Sequence, residues 1–257
     1  MPGSIRRAAV VAVAAVAVAL VGGCSGSGAT AGSPSPQNAG ASTGGDPKAL
    51  LAEVPAATFA AGSVRFEVTM QVSSGGRDTT TSGTGTFDFA RKAGDLTMAA
   101  AGGPASEVIM DGGNVYTRPA GESRWLQMNG AAMGGQFDPA QQLDTLQKVS
   151  NDVRVVGTED LRGEQVTHLA YTIDPADLVE SSGTTGPAAE MLRSGGPIPG
   201  DLYIDDEGRA RKAQTTMSTT VGGTTSTATV AVDYLEFGVP VAAQAPDPST
   251  VDTLGGS

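Results

Sequence analysis

The stretch SVRFEVTMQV, Ser63 to Val72, decides how the rest of the chain is read. Val64, Phe66, Val68, Met70 and Val72 fall on one side of an extended backbone, and Arg65, Glu67, Thr69 and Gln71 on the other. Successive side chains of a strand leave on opposite faces, so the spacing predicts a β-strand with one apolar and one wet side. Weaker alternation of the same kind covers 80–89, 95–100, 107–111, 115–118, 124–128, 153–156, 165–173, 201–204, 209–219 and 225–237. Short gaps of turn residues join them, among them Asp111-Gly112-Gly113-Asn114 and Asp205-Asp206-Glu207-Gly208. One-sided strands joined by short turns imply an antiparallel sheet with one face covered.

The cover is sparse. Four Asp-Pro pairs punctuate the chain, at Asp46, Asp138, Asp174 and Asp247. Asp accepts an orphan amide at a helix N-cap, and the fixed φ of Pro suits the first turn. Helix-like text follows three of them. Leu50, Leu51 and Val54 stripe a first helix that Pro55 is expected to end or kink. Leu143, Leu146 and Val149 stripe a second over about 138–150, Leu178 and Val179 mark a short third, and 188–193 reads as a fourth. The expected fold class is α+β: an antiparallel β half-barrel of about ten strands with a few helices covering its concave face. The segment 181–200, interrupted by Gly183, Gly186, Gly195, Gly196, Pro187, Pro197 and Pro199, reads as a mobile gate in which Met191 and Leu192 would close over a ligand.

The chain has 257 residues with 36 Gly and 15 Pro, short of the proportion that marks low complexity, so one domain of ordinary size is expected. Its first segment reads as an address. Arg6 and Arg7 precede an apolar run, Ala8 to Val21, of 14 residues, too short to span a bilayer as a helix and suited to a signal peptide. The two arginines fit an ordinary charged n-region better than twin-arginine export. Val21-Gly22-Gly23-Cys24 then resembles a bacterial lipobox, in which Cys24 is acylated and becomes the new N-terminus. A buried structural cysteine is the competing reading, but only Ser, Gly, Ala, Thr and Pro follow at once. Residues 24–45 carry no charge and no large apolar side chain, so they read as a tether with an end-to-end distance of roughly 25 Å. The division expected is 1–23 signal peptide, 24–45 tether and 46–257 ordered body. Losing 1–23 removes Arg6 and Arg7 and no acid, which moves the net charge from −11 to −13. Nucleic acid and anionic lipid surfaces are poor partners for such a body.

Enzyme motifs fail in their surroundings. With one Cys and one His, a disulfide framework, Cys-rich metal sites and paired-histidine sites are excluded. Gly40 to Gly44, GASTG, matches G-x-S-x-G but lies in the tether without a preceding strand. His168, which any Ser-His-Asp triad would have to use, falls on the strand face opposite Leu169, Tyr171 and Ile173 and reads as solvent-facing. Asp205, Asp206 and Glu207 lack calcium-loop spacing and read as a hairpin turn. Gly83 and Gly85 lack the third glycine of a dinucleotide fingerprint. Methionines at 70, 98, 110, 128 and 217 fall in strands, with Met133 and Met191 in covering segments; two readings stand, an exchangeable apolar surface and simple gap filling.

The order of features resembles a known family: lipobox, polar tether, a helix leading into SVRFEV, then VYTR with RWLQM, GTEDLRGEQVTHLAYTID, GDLYIDDEGRARKAQ and VDYLEFGVPVAAQAP. It is similar to the actinobacterial lipoproteins of the LprG and LppX type, whose fold is LolA-like, over roughly Asp46 to Pro248. The resemblance implies a half-barrel enclosing an apolar cavity for acyl chains of lipids or glycolipids, with no catalytic residues, no cofactor and no metal. Candidate wall residues, from the apolar sides of the strands, are Phe66, Val68, Met70, Phe87, Phe89, Met98, Met110, Leu169, Tyr171, Leu202 and Ile204. The expected protein is a monomeric, non-enzymatic lipoprotein held to the extracytoplasmic face of the cell membrane by lipidated Cys24. It would bind or transfer lipid, with envelope transporter or assembly proteins as further partners. A protein-interaction or sensor module with a closed core is the alternative.

Overall fold

The computed structural model describes residues 46–129, 138–182, 184–221 and 223–253. A first helix α1 (Pro47–Ala60) precedes a meander of β1 (Ser63–Ser74), β2 (Arg77–Asp88), β3 (Ala93–Ala100), β4 (Ser106–Asp111), β5 (Asn114–Arg118) and β6 (Trp125–Asn129). Helix α2 (Pro139–Val149) leads into β7 (Ser150–Leu161) and β8 (Glu164–Ile173). Helices α3 (Pro175–Ser182) and α4 (Pro187–Arg193) then return the chain to β9 (Ile198–Ile204), β10 (Ala210–Val221) and β11 (Thr224–Phe237). A 3₁₀ turn, Pro248–Thr250, delivers β12 (Val251–Thr253).

The twelve strands of the described residues form one open sheet in the order β12-β6-β5-β4-β3-β2-β1-β11-β10-β9-β8-β7, an α+β fold with α1 and α2 packed on the core of the sheet. The two meanders meet where β1 pairs antiparallel with β11, Val68 opposite Val232 and Met70 opposite Val230. Pairing is antiparallel except at the far edge, where β12 lies parallel to β6. Periodicity missed β12 because three residues are too few to show a period.

Each Asp-Pro pair caps an element. Asp46 accepts from the Lys48 amide, Asp138 from those of Ala140 and Gln141, Asp174 from that of Ala176 and Asp247 from that of Ser249, at 2.8–3.1 Å. Pro55 does not end α1, which continues to Ala60. Tertiary contacts hold the turns beyond it: the buried Thr58 hydroxyl donates to Val54 O at 2.7 Å and accepts from Ala210 N at 3.0 Å, tying the helix to β10. Such contacts outweigh the hydrogen bond that Pro55 removes.

Two further readings change. Residues Ile198 to Gly200 of the supposed gate are the start of β9, with Pro199 opposite Thr172 and Gly200 opposite Tyr171. Proline is tolerated near a strand's beginning. His168 is on the outer face as read, but it is not solvent-facing: it is 9% exposed, with Tyr203 stacked on its ring at 4.5 Å. The turn 205–208 is the hairpin expected. Buried Asp205 accepts from the amides of Glu207 and Arg209 and from Arg209 Nε at 2.8–3.1 Å, and the Arg209 guanidinium lies 4.8 Å from the Phe237 ring centre.

Candidate functional site

The inner face is filled unevenly. On β1 to β4, Phe66, Phe87, Leu96, Val108 and Met110 are buried in a continuous core. Phe87 packs edge-on to Phe89 at 5.7 Å between ring centres, and Phe89 lies 5.1 Å from Phe59 of α1. On β8 to β11 the layer above is α2 with part of α3, and a cavity of about 300 Å³ is left between helix and sheet.

Its floor is apolar. Tyr171 and Ile173 of β8, Ile198 of β9, and Val232 and Tyr234 of β11 are buried and line it, with Ala213, Met217 and Val230 less covered at its side. The roof is the α2 stripe Leu143, Leu146 and Val149, spaced three residues apart so that all lie over the sheet, with Leu178 of α3 beside them. Helix α2 is fixed at its start by Asp138. At its end the Ser150 hydroxyl donates to Leu146 O at 2.6 Å, and Gln147 Nε2 donates to Ala52 O of α1 at 3.1 Å. The rim differs: Gln141, Gln142 and Thr145 of α2, Ser181 of α3 and Thr215 of β10 are exposed or half-buried.

Gly200 matters to this floor. A methyl group on its α-carbon would sit 2.3 Å from the Tyr171 ring, so only glycine lets the ring lie across β9. The Tyr171 hydroxyl donates to Gln214 O at 3.3 Å. Burial pushes the phenols of Tyr171 and Tyr234 well above the usual tyrosine range, assisted by the charge of Asp201 for Tyr171 and of Asp138 for Tyr234. Both stay neutral at physiological pH.

Of the eleven wall candidates, Tyr171 lines this cavity. Phe66, Phe87, Phe89, Met110, Leu169, Leu202 and Ile204 are buried in the closed core, and Val68 and Met98 pack half-buried against it. Val68 and Met70 lie one strand away, opposite the lining residues Val232 and Val230. The α2 stripe and the β11 residues were not among the candidates, although the spacing of Leu143, Leu146 and Val149 already showed an apolar helix face. Cys24, the segment 24–45 and Met133 lie outside the described residues, as does the side chain of Met191.

On the outer face, His168 Nδ1 lies 2.7 Å from Glu159 of β7 and Nε2 lies 2.8 Å from Asp201 of β9. Both ring nitrogens are therefore occupied by carboxylates, and neither is left for a serine hydroxyl. The imidazole ties three strands together. No helix among the described residues is long and apolar enough to cross a membrane.

Residues 46–243 match the family model of the LppX_LprAFG lipoproteins, and the chain belongs to that family. Among solved structures it is similar to the lipoprotein LppX of Mycobacterium tuberculosis, at 16% identity and a TM-score of 0.49, over 76% of this chain and 98% of that one. LprF of Mycobacterium bovis matches at 15% identity and a TM-score of 0.46, over 78% and 96%. A LolA superfamily protein of Nitrosomonas europaea matches at 10% and 0.33, over 80% and 97%. No curated protein matches the chain by sequence.

Proposed function

We propose that this family member is a membrane-anchored lipoprotein of the extracytoplasmic face that binds lipid or glycolipid acyl chains in the cavity under α2. The observation that carries the reading is that cavity: apolar floor, apolar helical roof and polar rim, about 300 Å³ in volume. A binding site for an acyl chain needs apolar area and little else, since shielding it from water is worth about 25 cal/mol per Å². Two acyl chains on Cys24 would anchor the protein where one would hold it only marginally. The tether and the acidic body keep the cavity in the aqueous phase.

Native mass spectrometry of residues 24–257 carrying Cys24→Ser, purified from an expressing cell, tests the reading. Acyl-bearing adducts are expected, and Val230→Trp, which places bulk in free space, should remove them without unfolding the protein. A wild-type spectrum without adducts, together with a lowered melting temperature for Val230→Trp, would favour the closed interaction module. For the anchor, wild-type full-length chain should enter the detergent phase with an acyl mass on Cys24, and Cys24→Ala should stay an uncleaved precursor.

A further inference from the structure

We propose that the cavity selects an amphiphile with an uncharged polar head and rejects an anion of the same chain length. This rests on the lipid-binding reading above and narrows it. Among the described residues the cavity's lining contains no Asp, Glu, Lys, Arg or His. Apart from the two floor phenols its polar side chains are amides and hydroxyls, Gln141, Gln142, Thr145, Ser181, Gln214 and Thr215, all exposed or half-buried. These groups hydrogen-bond hydroxyls, esters and amides, and offer no counter-charge to a carboxylate or phosphate. The two ionisable groups on the floor, Tyr171 and Tyr234, are held neutral by burial.

The surroundings add a sign. The chain as a whole carries a net charge of −11. An anionic head at this rim would lose water without gaining a charged partner, beside a body of like net charge.

A cavity of about 300 Å³ lies at the small end of ligand sites.

The test compares two twelve-carbon probes by calorimetry at pH 8, below their micelle-forming concentrations, on residues 24–257 with Cys24→Ser. These are 1-monododecanoylglycerol and dodecanoate. The monoglyceride should bind roughly tenfold or more tighter than dodecanoate, as expected when one charge goes unpaired at a half-exposed rim. Thr145→Lys, which places a cation at the rim, should close or reverse that ratio, while the uncharged Thr145→Gln keeps it. Dodecanoate binding as tightly as the monoglyceride overturns the selection and leaves the lipid reading standing. If no probe binds, both this proposal and the lipid reading fall.

Discussion

Around Phe87 the inner face of the sheet is filled, and around Tyr234 it is not, although each ring is 1% exposed. Phe87 meets Phe89 and, through it, Phe59 of α1, while Gly94 brings β3 so near that an added methyl would lie 2.7 Å from the Phe87 ring. Tyr234 and Tyr171 instead line, with the leucines of α2, a cavity of about 300 Å³. A buried side chain thus says nothing about whether the space above it is full. That depends on the second layer, which here is a Phe-bearing helix at one end and a Leu-striped one at the other.

The comparison breaks most sharply under truncation. Phe87→Ala should cost about 3–5 kcal/mol in urea unfolding, because a ring leaves a packed site that cannot collapse. Met217→Ala, at the cavity wall, should cost less than the ~2 kcal/mol at which core Met truncations begin. Equal losses would mean the cavity end is as tightly packed as the other.

Next in size is Gly200→Ala. The new methyl drives the Tyr171 ring upward into the free volume, with an overpacking cost of about 1–3 kcal/mol and a loss of bound lipid. Unchanged stability and lipid content would show that the ring is loosely held.

The phenols give a third test, because no phenylalanine can titrate. In the unfolded chain a tyrosine ionises near pH 10, whereas Tyr171 and Tyr234 stay protonated above it when folded. Their contribution is complete below pH 10 and declines as pH rises, by up to ~1.4 kcal/mol per pH unit for each phenol. Stability measured between pH 9 and 11 should fall less steeply in Tyr234→Phe than in wild type. Parallel slopes would mean that Tyr234 is hydrated.

The smallest effect lies at the exposed edge. The Arg124 guanidinium beside Asp252 holds that carboxyl below its usual value and binds β12 to β6. A lowered carboxylate contributes above its unfolded value, near ~3.9, and ceases to contribute as pH falls through its folded one. Hydrogen exchange at Leu126 and Gln127, opposite Asp252 and Thr253, should therefore quicken below about pH 4 relative to the intrinsic rate. In Arg124→Gln that pH dependence should be absent.

Much of this was legible in short windows. SVRFEVTMQV is β1, the Asp-Pro pairs cap their elements, and IDDEGR is a hairpin whose first Asp collects the turn's amides. Each depends on residues within about four positions of one another, where chain geometry leaves few options. The site was less legible. Tyr171 was found among the apolar strand residues, but so were Phe66 and Leu202, which have the same alternation and end in the filled core. Period two says which face a residue takes and cannot say what lies above that face.

From sequence alone came the one-sided strands, the helix starts, the acidic body and the family order of motifs, all set by local sterics, local hydrogen bonds and composition. Tertiary structure alone decided that β1 closes on β11, that α1 runs on past Pro55 because Thr58 reaches Ala210, that His168 is pinned between β7 and β9, and that α2 stands off the sheet above Tyr171 and Tyr234. All but the His168–Glu159 contact join residues tens to more than a hundred positions apart, and their energies depend on how elements distant in the chain meet, which no short window contains.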